Sequence, residues 1–433
     1  MTVETASPAP SPGDAPSAPS GSFAARYPLL YGLATNPGLK VLWAASAVAL
    51  LLYGATFART VLASKDFVIS DIAVVGGDFT TFWIAAKTLL ADGPLALYQP
   101  DTLNTRLEAA FPLSRDVMLF WQYPPTFYFI VAPLAFLSYP AALCGWMAVT
   151  TSAAGGALAI LWRSRTPLLV AFASAAAWQA WITGQTGFLT AALVTLAAGW
   201  ADRRPVIAGI AAGLLTVKPQ LGLLIPVAYA AAGCWRAFGA AAVTAILLAG
   251  LSVVFFGVES WVGFFEAMGA QGARLSLSSF PQYKLITPYG FLTTLGTPAG
   301  LAIFIQGLVA LALAAFVFGV WRKSLSWETR LIALAAATPL AAPYVFYYEA
   351  PIFFAAMIML AKCGIERGWL RFEKQGLMAL WILPAFTPGP DWLPISALIA
   401  FAAFGLCACR VLHDCPLDLR DYSFSTKNKG LVA

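Results

Sequence analysis

Apolar runs of about 20 residues follow one another along most of this chain, and no other feature restricts its folding so strongly. That length is what a helix needs to cross the hydrocarbon core of a bilayer. In lipid, the backbone is satisfied only inside a helix or around a closed barrel. The runs here are continuous rather than alternating, which excludes a barrel. Composition agrees: 60% of the 433 residues are hydrophobic and 11% are charged, against roughly 25% charged in a soluble domain. The sequence therefore predicts an all-α polytopic membrane protein of about 11–13 transmembrane helices with a large first external loop.

Candidate spans lie near 41–62, 124–138, 141–161, 167–182, 187–200, 205–217, 221–233, 237–257, 299–321, 331–343, 347–361, 376–387 and 392–410. Several are short and contain Pro or Gly, as tilted or broken membrane helices do. Residues 1–38 read as a cytosolic N-terminal tail, its first 25 residues disordered and rich in Ala, Pro and Ser. No basic stretch precedes a hydrophobic core there, so the tail does not read as a signal peptide. Residues 39–412 form the membrane body, and 413–433 a cytosolic C-terminal tail.

The net charge of +6 is a topology signal rather than a nucleic-acid footprint, because the basic residues fall in short loops between apolar runs. Arg163, Arg165, Arg203, Arg204, Arg236, Arg322, Lys323, Arg330, Lys362, Arg367, Arg371 and Lys374 mark the cytosolic side. The loop 64–123 has seven acids against four bases and is expected outside, with the loop 258–298 and the turns near Gln185, Lys218, Tyr344 and Asp391. With the N-terminus inside, 124–161 must cross an odd number of times. Ser138-Tyr139-Pro140 nevertheless reads as a turn, so either 124–138 is a half-membrane or re-entrant piece, the preferred reading, or the N-terminus is outside. The six cysteines lie in spans or on the cytosolic side, which argues against a disulfide framework. The spacing of Cys407, Cys409, His413 and Cys415 fits no standard zinc pattern.

This topology gathers polar residues at the outer ends of apolar helices. Asp78 follows Gly76-Gly77 and precedes Phe79. It reads either as a helix N-cap or as a general base taking a proton from a hydroxyl. Lys218, before Pro219, reads as a snorkelling lysine or as a point charge for a phosphate. Lys284 reads as an ordinary loop lysine or as a second phosphate contact. Tyr123, Gln185, Gln220, Gln282, Tyr283 and Tyr348 offer donors suited to sugar hydroxyls. Glu349 reads as a substrate contact or as the partner of Lys218 or Lys284 in an ion pair. Trp83, Trp121 and Trp178 read as interface anchors.

Six stretches taken in order carry a resemblance: Gly77-Asp78-Phe79-Thr80-Thr81-Phe82-Trp83, Leu97-Tyr98-Gln99-Pro100, Tyr123-Pro124-Pro125, Gly184-Gln185, Lys218-Pro219-Gln220, and Pro343-Tyr344 through Tyr348-Glu349. With them the chain resembles glycosyltransferase family 87, membrane enzymes of the GT-C fold. The resemblance implies Asp78 as the catalytic residue and a polyprenyl-phosphate-linked hexose, often mannose, as donor. It implies transfer to a lipid or glycan hydroxyl with inversion, on the extracytoplasmic face of the plasma (inner) membrane. Neither a nucleotide sugar nor a cofactor is implied, and no metal. The chain departs from relatives that place a histidine or aspartate in the later segment, where Tyr347-Tyr348-Glu349 stands here. A multi-pass transporter or flippase with intramembrane Lys and Glu is the alternative, and a scaffolding membrane protein a third reading.

Overall fold

The computed structural model describes residues 39–415 apart from Arg115, Arg163, Ser276, Ser278 and Ser279. The expected tail 1–38 and nearly all of the tail 413–433 lie outside the described residues. The architecture is helical, with one small antiparallel pair, β1 (Val68–Ser70) and β2 (Ala73–Val74). The helices used below are α1 (Leu39–Ala63), α2 (Phe79–Asp92), α3 (Pro100–Ala110), α4 (Tyr139–Leu161), α5 (Ala175–Thr183), α6 (Gly187–Gly199), α7 (Pro205–Leu214), α8 (Ile225–Ala231), α9 (Trp235–Phe256), α10 (Glu259–Leu275), α11 (Ala299–Arg322), α12 (Trp327–Ala341), α13 (Phe353–Arg367), α14 (Glu373–Ile382) and α15 (Ile395–Asp414).

Among the described residues, six helices are long and apolar enough to cross a membrane: Lys40–Ala63, Tyr139–Leu161, Trp235–Phe256, Ala299–Arg322, Tyr347–Arg367 and Ile395–Asp414. Four shorter apolar segments, Pro125–Phe136, Gly187–Gly199, Pro205–Val217 and Pro219–Ala231, complete the apolar set. Several predicted spans are thus shorter than a full crossing. Turn residues explain the breaks. Pro205 opens α7, Lys218-Pro219 parts two 3₁₀ turns, and Gly184 ends α5 in the left-handed conformation. The segment 125–136 is a run of 3₁₀ and α turns too short to cross, and α4 begins right after it at Tyr139.

Helix α12 is the axis of the larger core. Its alanine-rich sequence lets α6, α11, α13 and α15 close around it, and Leu331 to Ala337 are all buried. A second core gathers under the loop 64–135, where Phe79, Phe82, Tyr123, Phe127 and Trp146 meet ring to ring. Full burial of rings such as Phe79 and Phe82 stabilises this loop by roughly 1.5–3 kcal/mol each. The seam between the two cores runs through the break at Lys218, with Leu215 in one and Val217 in the other.

Helices α7 and α9 run parallel in close contact. A Cβ on Gly209 would lie 2.3 Å from the Ala237 carbonyl oxygen, and one on Gly213 would lie 2.5 Å from the Thr244 Cβ. Level with each other there, the two helices then part. The first turns aside at Lys218, while α9 continues to Phe256. At 1.5 Å per residue, Lys218 stops about 10 Å short of the end of α9. The break is recessed within the bundle.

Candidate active site

Two glycine turns interlock to build the site. Gly76 and Gly77 both have positive φ, 91° and 53°. A Cβ on Gly77 would sit 3.2 Å from the Ile182 carbonyl oxygen. In the opposing turn, Gly184 has φ 57°, and its Cβ would lie 2.6 Å from the Phe79 Cβ and 2.8 Å from the Gly76 carbonyl oxygen. Only glycine permits both this conformation and this approach. Trp146 donates to the Gly184 carbonyl at 2.8 Å, and Tyr139 donates to the Val75 carbonyl, so α4 clamps the pair.

This docking sets Asp78 against Gln185. Asp78 precedes α2, yet its side chain makes no capping bond to that helix. Its Oδ2 instead accepts from Gln185 Nε2 at 3.0 Å. Gln185 Oε1 accepts from the Tyr123 hydroxyl at 2.8 Å and from the Thr186 backbone N–H at 3.2 Å. Those two donors fix which way the amide points: its NH₂ must face the carboxylate. Asp78 remains accessible to water, but it sits in a recess crowded by protein. That desolvation pushes its carboxyl above the usual range, against the opposing pull of the Gln185 hydrogen bond and the Lys284 and Lys218 charges.

Lys218 stands at the recessed break. It forms an ion pair with Glu349, and its ammonium lies 5.4 Å from the Tyr123 ring centre and 5.5 Å from that of Tyr348. Glu349 is 1% exposed. Its carboxylate also accepts from Thr186 Oγ1 at 2.9 Å and Thr190 Oγ1 at 2.5 Å. A charge pair taken this far out of water needs such extra donors. Glu349 is thereby fully engaged within the protein.

Lys284 reaches the site through backbone pairing. Leu285 bridges Phe346, and the Ile286 N–H donates to the Val345 carbonyl at 2.9 Å. Among the described residues Lys284 has no ion pair, and its ammonium lies over its own neighbour Tyr283, 5.8 Å from the ring centre. Gln282 is turned to its own loop, where Nε2 donates to the Leu277 carbonyl at 2.8 Å. Gln220, Tyr344, Tyr348, Lys218 and Glu349 line one small cavity. Leu223, Val227, Phe304, Leu308 and Leu311 line an apolar groove of about 560 Å³ between α8 and α11. The groove holds no chemistry of its own; it begins a few residues beyond Lys218.

Sequence reasoning missed four participants. Thr186, at the N-cap of α6, and Thr190, four residues on, are the hydroxyl donors to Glu349, and that spacing was the available signal. Gln122 accepts from the Tyr344 hydroxyl at 2.8 Å and donates to Gln271. Arg274 stacks on Phe120, 3.3 Å from the ring centre, with no ion pair among the described residues. Trp121, expected as an interface anchor, is instead 3% exposed and packed in the aromatic core on Tyr123 and Phe127, because the loop folds over it.

The family model of glycosyltransferase family 87 matches residues 121–343, half of the chain. The match includes Tyr123, Gln185, Lys218, Gln220 and Lys284; Asp78 and Glu349 lie outside it. No curated protein matches the chain, and no solved structure does.

Proposed function

We propose, from the premise that this chain belongs to glycosyltransferase family 87, that it moves a hexose, mannose first among candidates, from a polyprenyl phosphate to an acceptor hydroxyl. The observation that carries the reading is an accessible carboxylate, Asp78, held by a neutral amide and under the charge of two lysines.

In the proposed step, Asp78 takes the proton of the acceptor hydroxyl through its free oxygen, Oδ2 being held by Gln185. The acceptor oxygen forms a bond to the anomeric carbon. The bond from that carbon to the phosphate oxygen breaks on the opposite side, and its electron pair leaves with the polyprenyl phosphate. Displacement in line inverts the anomeric centre. The developing phosphate charge meets Lys284, which is uncompensated, and Lys218, whose charge is shared with Glu349. Positive charge from these lysines takes the role a metal ion has elsewhere, so transfer is expected to persist in a chelator. Tyr123 and Gln185 keep the base in place; Gln220, Tyr283 and Tyr348 are the sugar contacts in this reading. Gln282 supports the loop that carries Lys284. The isoprenoid tail lies along the groove lined by Leu223 and Leu308.

The charge distribution supports an extracytoplasmic site. Arg203, Arg204, Arg322, Lys323, Lys362 and Arg367 stand at the ends of helices opposite Asp78, as the positive-inside rule expects of the cytosolic side. Incubation of the purified protein with a panel of labelled polyprenyl-phosphate sugars tests the reading. Labelled product from one of them is expected. Turnover of a nucleotide sugar alone would reject the donor class.

A further inference from the structure

Helix α10 follows α9 after Val258 and a turn at Gly257, whose φ is 78°. It does not fold back along α9. It packs on the turn Pro94–Tyr98 and on Pro125–Phe127 at the site's end of the bundle. Trp261 Nε1 donates to Ser252 Oγ of α9 at 2.9 Å and fixes the bend.

Around its axis the helix carries three faces. Ser260, Gly263, Phe264 and Gln271 are buried against the protein. A Cβ on Gly263 would come within 2.8 Å of the Tyr98 ring, so that contact needs glycine. On a second face Val262 and Phe265, three apart, are 53% and 64% exposed, and Val258, just before the first turn and four residues from Val262, is 56% exposed. Along the remaining edge, Glu259 and Glu266 are exposed and have no ion pair among the described residues. At 17 residues with two acids on its outer side, the helix is not among the candidate spans. A helix with one apolar stripe beside a charged edge suits the plane of the lipid–water interface.

The apolar stripe continues an existing lipid face. Val254 and Phe255, in the last turn of the membrane helix α9, are 78% and 68% exposed, and Val258 follows them directly. We propose that α10 lies in the lipid–water interface on the site's side of the membrane. Val258, Val262 and Phe265 enter the lipid, and Glu259 and Glu266 face water. The occupant of this stripe is lipid rather than a second protein, since it runs on unbroken from α9 and the neighbouring acids need water. Through Gln271, which accepts from Gln122, itself bonded to Tyr344, the seated helix is tied to the lip of the site.

The test leaves activity aside. A photoreactive phenylalanine analogue is placed at position 254, 259, 262, 265 or 266 of the full chain, reconstituted in phosphatidylcholine vesicles. These positions are exposed, so the fold tolerates them. After illumination, mass spectrometry counts lipid adducts. Positions 262 and 265 are expected to match the α9 control at 254 and to exceed 259 and 266 severalfold. Equal labelling at all four α10 positions overturns the proposal. Covalent dimers from 265 also overturn it, in favour of a second copy.

Discussion

The two ends of the bundle treat their charges differently. At the basic end almost every acid has found a cation. Glu328 meets Lys362 at 2.7 Å, Asp414 meets Arg367 at 3.2 Å, Asp202 meets Arg330 at 3.2 Å, and buried Glu373 pairs with buried Arg410. These pairs tie α12, α13, α14 and α15 together. At the other end Asp78 has a neutral amide for a partner, while Lys284 and Arg274 have no ion pair among the described residues. Lys218 and Glu349 are matched there, as are Arg106 and Asp92 on the loop. A paired charge holds helices; an unpaired one is available to a substrate. The difference separates scaffold from chemistry without any appeal to conservation.

The comparison is broken most severely at Asp78. Asp78→Asn keeps the shape and the Gln185 contact but removes the base. Transfer is expected to fall by roughly 10²–10⁴, with the melting profile in detergent unchanged. Removing one member of the buried pair has a structural effect instead. Glu349→Ala leaves Lys218 uncompensated, and thermal unfolding should report a loss of about 3–5 kcal/mol. Lys284→Ala should leave stability alone and raise KM for the lipid donor roughly 10- to 150-fold, the loss of one charged contact worth about 1.5–3 kcal/mol. An equal change in acceptor KM would count against a phosphate contact.

The pH profile sharpens the contrast further. The proposed base works only when ionised, and desolvation raises the Asp78 carboxyl above its usual range. Activity should therefore fall on the acid side at a higher pH than an ordinary carboxylate allows. Gln185→Leu removes a hydrogen bond that lowers this pKa, so the acid limb should move up in pH; a downward move would contradict the arrangement. The smallest effect belongs to the exposed Arg106–Asp92 pair on the loop. Arg106→Gln should cost no more than about 1 kcal/mol and leave turnover unchanged.

Much of this organisation is legible in the sequence because it rests on local chemistry. Apolar runs give the membrane class, and the Arg and Lys positions give the basic end. Gly76-Gly77 and Gly184-Gln185 stand out in the sequence as part of the family resemblance; that Gly76, Gly77 and Gly184 have positive φ comes from the structure. What the sequence leaves open is pairing at a distance. Asp78 and Gln185 are 107 residues apart, and Lys218 and Glu349 are 131 apart. No periodicity encodes those meetings, so the sequence alone does not decide between the two readings of Asp78 or the two ion-pair partners of Glu349. The division of 205–233 was legible as well: the candidate spans 205–217 and 221–233 meet the short segments Pro205–Val217 and Pro219–Ala231, parted at Lys218-Pro219.

The pH–rate profile of transfer, run on the unmodified chain and on the residual activity of Asp78→Asn, tests most directly whether a carboxylate is kept unpaired here to accept a proton. The acid limb should be present in the first, above the usual carboxylate range, and absent in the second. An acid limb that persists unshifted in Asp78→Asn would mean that another group accepts the proton.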